Sequence, residues 1–576
     1  MKFIHVYNPQ YFEGLVKNDL LNEDSGFKIQ HVFSLTEDMK FNQLAAKGSR
    51  LHSLIKEGRF PFYVDRLTGG VTYHKYDFDK ALIREYENLL GPWFLGIQLH
   101  ESASNRRHDW GNILKAMDGS KGPYDADLLR RRMISDHART PDGTMLPGFI
   151  QDPPEVYAKL RYAETLTDYK AEVEDMFRRR MAETDGFILP CDSFYLMPHM
   201  QQRLGMRTFM PEVGCQIPQM RMAVALARGM AGLEGKLWGT YYETWRYTAQ
   251  EGYSMPCYNT DPGNEWHLSQ EQHPDDFTSF GPNGGSSRLL QQRIYYHSLM
   301  SGADYVAEEW GLNCSYTDMR TFDLSPYGLV KKKFINDARK LGKIKARIPF
   351  AVILPTEYAC VQIPGSSDPF LPGQWHDVYM GVPLTEAEKQ VVGQAEDVLK
   401  LLLRRDPENV HGNEGHVLTN SRFGDIFDIL YEDAPETALA KYDYLIDATP
   451  ACRFTAKMGS RFSVLNGHDR DALTRQIYAL SAKCLPCTAD NLHWLLSDSD
   501  AGQRYITVFN NEGNRRSIHN GDNLIPEANS STILSFREPA QPECVIRGDE
   551  AVKLEQIDPC HWRLSVPAAS FAILRY

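Results

Sequence analysis

A chain of 576 residues is too long for one hydrophobic core and calls for roughly two to four domains. Its 75 acidic and 63 basic residues leave a net charge of -12 without a long run of either sign, which argues against nucleic acid as a partner. No window approaches about 18 consecutive apolar residues, so no helix is expected to cross a membrane.

The opening run Met1–Asn8 lacks the apolar core and cleavage site of a signal peptide. The ten cysteines are scattered, and Cys191, Cys215 and Cys360 sit in apolar segments, which fits free thiols and predicts a cytoplasmic protein. Cys484 and Cys487 form a Cys-x-x-Cys pair with no second pair at zinc spacing, so no metal or other cofactor is expected. Arg178–Arg180 and Lys331–Lys333 read as solvated helix faces.

Over the first 345 residues short β-like runs alternate with amphipathic helical ones. The runs are Phe3–Tyr7, Phe27–Leu35, Phe60–Asp65, Trp93–Leu99, Gly186–Asp192, Arg207–Val213, Lys236–Trp245 and Ala303–Trp310. Periodicity predicts helices over 41–57, 79–90, 168–183, 197–205, 218–234, 286–301 and 325–342. Eight such units, with a long insertion over about 105–165, predict a (β/α)8 TIM barrel over 1–346.

Residues 347–488 predict a flavodoxin-like α/β domain, with a buried strand in Ile348–Pro355, helices over 384–404 and 470–483, and strands at Tyr444–Asp447 and Phe462–Leu465. No Gly-rich phosphate loop follows Pro355, so an assembly role is expected there in place of nucleotide binding. Residues 489–576 predict a small C-terminal β-sandwich, from runs at Arg504–Asn510, Thr532–Phe536 and Ser570–Arg575 separated by turn residues.

In a barrel the chemistry belongs at the carboxyl ends of the strands. Strand three ends on Asp65 and Arg66, strand four on His100 and Glu101 with Asn105 beyond, and strand five on Cys191 and Asp192. Strand six ends on Glu212, strand seven on Tyr241, Glu243, Trp245 and Arg246, and strand eight on Glu308, Glu309 and Trp310. Carboxylates recur with Trp and Tyr, no His or Cys cluster has metal spacing, and Gly-x-Ser-x-Gly is absent. Two carboxylates across a cleft are what hydrolysis of a glycosidic bond needs, and aromatic faces beside polar edges suit a sugar. Each residue also has a structural reading: Glu243 could simply pair with Arg246, and Asp65 with Arg66 could brace the barrel.

The motifs Gly96-Ile-Gln-Leu-His-Glu101 and Lys236-Leu-Trp-Gly-Thr-Tyr-Tyr-Glu243 resemble the strand-four and strand-seven motifs of clan A glycoside hydrolases. The run from Arg293 through Ser325-Pro-Tyr-Gly328 into Pro349–Leu354 is similar to the passage from barrel to trimerisation domain in glycoside hydrolase family 42 and relatives such as family 164. The resemblance implies a retaining exo-glycosidase of the β-galactosidase or β-mannosidase kind, with Glu101 as acid/base and Glu243 as nucleophile. It also implies a homotrimer; by their positions at the strand ends, Asp65, Arg66, His100, Asn105, Asp192, Glu212, Tyr241, Trp245, Glu309 and Trp310 are expected to hold the carbohydrate substrate. Glu212, Glu308 and Glu309 stay open as alternative nucleophiles if the strand count shifts by one. One departure stands out: the clan has Asn before its acid/base where this chain has His100, which leaves room for a different sugar 2-position, such as that of mannose. The competing readings are a carbohydrate-binding barrel without catalysis, and a glycan lyase or phosphorylase.

Overall fold

The computed structural model describes residues 1–30, 40–65, 67, 75–76, 78–100, 149–150, 165–191, 197–215, 219–248, 252–258, 279–309, 311–318, 320–359, 384–403 and 412–576. Its largest sheet is parallel and carries eight strand positions in sequence order, the arrangement of a (β/α)8 barrel. Strand one is Lys2–Val6, strand two Ser25–Gln30, strand three Phe62–Asp65 and strand four Phe94–His100. Strand five is Ile188–Cys191, strand seven Leu237–Glu243 and strand eight Tyr305–Glu308. Strand one pairs with strand eight, and strand five lies against the first piece of strand six, so the sheet nearly closes on itself.

Strand six departs from the expected single run. It splits into Thr208–Phe209 and Glu212–Gly214, each paired with strand seven. Pro211 supplies the reason, because proline brings no N–H to the ladder, and its carbonyl accepts from Tyr241 N instead. Strand four also carries an irregularity: the register against strand three slips so that Tyr63 faces Gly96, which sits at φ 115°. A side chain at Gly96 would be strained in that conformation and would press on the Phe187 carbonyl, so the bulge is a glycine device.

Period-two alternation then sorts the strands. Ile4, Tyr63, Leu95, Leu189, Cys191, Met210, Tyr241, Tyr305 and Ala307 point inward and fill the barrel as a packed plug. Their outward neighbours, such as Val64, Ile97, Tyr242 and Val306, join the larger core shared with the surrounding helices. Several of those helices start on the caps the sequence implies. Thr165 and Asp168 form a reciprocal capping box for Leu166–Glu183, and Asp79, Ser287 and Ser325 cap Lys80–Leu90, Arg288–Met300 and Pro326–Leu341. The helix expected over 41–57 is two, Phe41–Leu44 and Arg50–Gly58, and a short helix at Phe12–Lys17 was not expected.

Past the barrel, Phe350–Leu354 lies at the centre of a four-stranded parallel sheet. Phe427–Tyr431 pairs on one side of it, with Tyr444–Asp447 and then Val464–Asn466 on the other. That order places the second strand outside the first, as in doubly wound flavodoxin-type sheets. Phe427–Tyr431 was not expected from the sequence: as a buried strand of five residues it carries no alternation to read. The last residues form two antiparallel sheets, one built on His493–Ser499, Arg504–Phe509 and Phe571–Arg575, the other on Ser530–Phe536 and His561–Val566. Ile344–Ala346, just after the last barrel helix, pairs with His493–Ser499 and ties the chain's end back to the barrel.

The three parts meet at Asp425. Arg221, on the helix Met220–Glu234, donates Nε to Asp425 Oδ1 at 2.6 Å, while His297 Nε2 and His493 Nε2 reach Asp425 Oδ2 at 2.7 and 2.6 Å. All four side chains are buried. Burial alone would raise the Asp425 pKa, but the Arg221 charge and the two imidazoles outweigh it and hold the carboxyl well below the usual range. Burial holds His297 below its ordinary value and His493 down to about 3, with Asp425 opposing both. The hub is therefore an ionised carboxylate facing one guanidinium and two imidazoles.

Asp425→Ala leaves the buried Arg221 charge uncompensated and should cost about 3–5 kcal/mol, read as a fall of several degrees in apparent Tm; an unchanged Tm would show that the hub contributes nothing. His493 and His5, both held down to about 3, bind a proton in the unfolded chain below about pH 6.5 and not in the folded one. Stability should thus fall as pH drops from about 6.5 toward 3, and His493→Gln should flatten the Tm-against-pH slope in that window.

Candidate active site

The same alternation that fills the barrel decides which polar groups reach its carboxyl-end mouth. On strand eight, Tyr305 and Ala307 point inward, so the next inward position is Glu309, while Glu308 turns outward with Val306. Glu308 is accordingly taken up by the helices: the Tyr295 hydroxyl donates to it and Lys331 pairs with it. Glycine at 311 leaves space for this, since a Cβ there would lie 2.3 Å from Glu308 Oε2. Of the two adjacent glutamates, Glu309 belongs to the mouth and Glu308 to the barrel wall.

On strand seven Tyr241 and Glu243 share the inward face. Tyr241 lies opposite Glu212 of strand six, and Glu243 opposite Gly214. The Glu243 side chain crosses over that glycine: a Cβ at 214 would come within 2.2 Å of Oε1 and 2.5 Å of Cδ. Glu212, Glu243 and Glu309 are each at most 5% exposed, so three carboxylates enter the mouth from three consecutive strands in surroundings with little water. Glu309 N donates to the Tyr242 carbonyl at 2.9 Å, which fixes the end of strand eight against strand seven.

His100 closes the group from the opposite side. Its Nε2 lies 3.3 Å from Glu309 Oε1, and its ring packs edge-on against Tyr241 with centroids 5.5 Å apart. Gln98, inward on the same strand and fully buried, faces His100 Nδ1 at 3.2 Å. One ligand atom from each of His100, Glu212 and Glu309 lies within 4.8 Å of the others.

Beneath this ring sits a charged pair that the sequence reading missed. Lys28 of strand two and Asp65 of strand three are both fully buried, with Lys28 Nζ 3.4 Å from Asp65 Oδ2 and 3.3 Å from the Tyr241 hydroxyl. Tyr241 in turn donates to Asp65 Oδ2 at 3.3 Å. The signal was present: in Phe27-Lys-Ile-Gln30 the apolar residues hold the outward parity, which leaves Lys28 and Gln30 facing the barrel axis. A lysine without exposed surface stands there only beside a compensating carboxylate.

The expected site residues therefore divide in two. Asp65, His100, Glu212, Tyr241, Glu243 and Glu309 are buried at one end of the barrel, and Trp245 and Arg246 follow directly from strand seven, also buried. Glu101, Arg66, Asn105, Asp192 and Trp310 lie outside the described residues. As an arrangement, the described end of the barrel gathers carboxylates, an imidazole and a phenol, groups that can exchange hydrogen bonds with hydroxyls.

No family model matches the chain, and no curated protein sequence matches it. Among solved structures it is similar to an alpha-L-fucosidase isoenzyme 2 from Paenibacillus thiaminolyticus, at 9% identity and a TM-score of 0.41 over 100% of this chain and 99% of that one. It is also similar to the catalytic module of a family 98 glycoside hydrolase from Streptococcus pneumoniae, at 8% identity and a TM-score of 0.34 over 100% and 98%. An alpha-amylase from H. orenii aligns at 9% identity and a TM-score of 0.30 over 100% and 99%. With TM-scores of this size, the functional reading rests on the site itself.

Proposed function

We propose that the chain is a retaining glycoside hydrolase that cleaves a glycosidic bond in the barrel mouth. The observation that carries this reading is the gathering of His100, Glu212 and Glu309 within 4.8 Å of one another, with buried Glu243 crossing Gly214 on the neighbouring strand, on the face where barrels of this kind hold their chemistry. Carboxylates gathered in such a place serve as acid, base and nucleophile toward an anomeric carbon, because burial and mutual repulsion drive their protonation states apart. In this reading Glu243 is the nucleophile and Glu101 the acid/base. Glu101 protonates the leaving oxygen while Glu243 attacks, and Glu101 then deprotonates the water that releases the sugar. Asp65, His100, Glu212, Tyr241, Trp245 and Glu309 form the sugar-facing wall, joined by Arg66, Asn105, Asp192 and Trp310. His100, where the resembling families carry Asn, favours a substrate whose 2-hydroxyl differs from that of a galactoside, and mannosides are the first to test. Assembly as a homotrimer through residues 347–488 belongs to the same proposal.

A panel of aryl β-galactosides, β-mannosides, β-glucosides and α-fucosides tests the activity, and NMR of the first-formed product tests the stereochemistry. Retention is expected; an inverted product overturns the two-step mechanism. Glu243→Gln should lower kcat by at least about 10³-fold and Glu101→Gln by about 10²–10⁴-fold, with substrate binding retained. Near-normal turnover in Glu243→Gln would remove that residue from the role.

Gly214→Ala probes the same carboxylate without replacing it. The added methyl occupies the space of Glu243 Oε1, so kcat should fall by about 10²-fold with a smaller change in KM. An unchanged kcat would mean that the position of Glu243 over strand six does not matter to catalysis.

A further inference from the structure

We propose that His100, Glu212 and Glu309 bind one divalent cation at the base of the sugar cleft, a cation of the class that accepts imidazole, Zn²⁺ or Mn²⁺. The three ligand atoms come from strands four, six and eight, are buried, and all lie within 4.8 Å of one another. His100 Nε2 and Glu309 Oε1 are 3.3 Å apart, close to the roughly 3.4 Å between two ligands of a tetrahedral site with bonds of about 2.0–2.2 Å. Glu212 offers the third ligand atom, within 4.8 Å of both.

Gln98 points the same way. With its amide nitrogen toward His100 Nδ1, Gln98 leaves its buried Oε1 without a hydrogen bond among the described residues. Turned over, the same amide accepts from Nδ1–H at the same distance, since the two ends of the group are nearly isosteric. The imidazole then carries its proton on Nδ1 and aims the Nε2 lone pair at the Glu309 carboxylate. An outer acceptor that fixes the tautomer of a ligating histidine supports a metal site, and here the Gln98 amide oxygen would fill that place. One imidazole with two carboxylates favours Zn²⁺ or Mn²⁺ over Ca²⁺ and Mg²⁺, which take oxygen alone. The sequence could not show this group, because its members are 112 and 97 residues apart and meet only when the sheet closes.

The use of the ion rests on the glycosidase reading. Three protein ligands leave positions open for two adjacent hydroxyls of a sugar, which a cation holds in a fixed pair of directions. Its binding does not rest on that reading and is tested by itself. The full-length protein, treated with chelator and desalted, is titrated with ZnCl₂ and with MnCl₂ by calorimetry and by thermal shift. One ion per chain and a rise in Tm of several degrees are expected, with no response to MgCl₂ or CaCl₂ at equal concentration. Glu212→Gln and Glu309→Gln should each weaken binding at least about 100-fold and Gln98→Leu about 10–100-fold, while metal-free Tm stays near that of the unaltered protein. Where a variant does not fold, Co²⁺ titration of the unaltered protein decides: a visible band of four- or five-coordinate cobalt is expected, and its absence overturns the proposal. Absence of one-to-one binding, or full affinity in the folded glutamine variants, overturns it as well. Turnover of glycosides in chelator without ion binding would sink this proposal and leave the glycosidase reading intact. Ion binding without turnover of any glycoside would do the reverse.

Discussion

The closure of a parallel sheet on itself is the constraint on which the rest of this structure depends. Once strand one pairs with strand eight and strands five and six come together, every second residue points to the barrel axis, where space is limited. Apolar and aromatic residues, among them Tyr63, Tyr241 and Tyr305 with smaller partners, pack together along that axis. At the carboxyl ends the same inward parity belongs to Lys28, Asp65, Gln98, His100, Glu212, Glu243 and Glu309. These groups are gathered by geometry, and the tight fit of glycines 96 and 214 shows how little slack the gathering has.

The balance of charge in that mouth is as telling as its membership. Lys28 between Asp65 and the Tyr241 hydroxyl forms a floor in which one buried cation meets one buried anion. Above it stand three more carboxylates and one imidazole. Arg246, buried at the end of strand seven, adds a second cation, and gathering so many buried charges costs stability even where they pair. Such an expense is typical of functional sites, where burial and like charges set protonation states apart. A second cluster of comparable density, around Asp425, is of another kind. There, Arg221 and two imidazoles converge on a single carboxylate, and the result is a joint between the barrel helices, the second sheet and the terminal strands.

That joint explains why the parts hold one arrangement. Arg221 also donates to the carbonyls of Leu403, Thr419 and Phe423, and Arg228 on the same helix reaches Asp428 and the Phe427 carbonyl. Gly229 lets the helix approach the strand Phe427–Tyr431 closely, since a Cβ there would lie 2.5 Å from the Ile429 carbonyl. The helix that follows strand six, which carries Glu212 and Gly214, is thus clamped from behind by the second sheet. The position of two mouth residues is thereby tied to packing well away from the mouth.

The order of strands and helices through the barrel was legible in the sequence, because amphipathic periods of two and of 3.6 residues alternate there and Ser, Thr and Asp mark several helix starts. So was the membership of Asp65, His100, Glu212, Tyr241, Glu243 and Glu309 in one end of a barrel, since a polar residue ending an apolar parallel strand can only lie at its mouth. Lys28 and Gln98 were legible in principle and passed over, being polar residues inside apolar runs and not at their ends. What only the tertiary structure decided is which neighbours touch. Glu309 faces the mouth and Glu308 the wall because Ala307 and Val306 take opposite sides of a closed sheet; Glu243 lies over Gly214, and His100 meets Glu309, because strands far apart in the chain become near ones across the barrel. Local periodicity is written in the chain, whereas distance across a closed sheet depends on register, bulges and closure, which no single stretch of sequence contains.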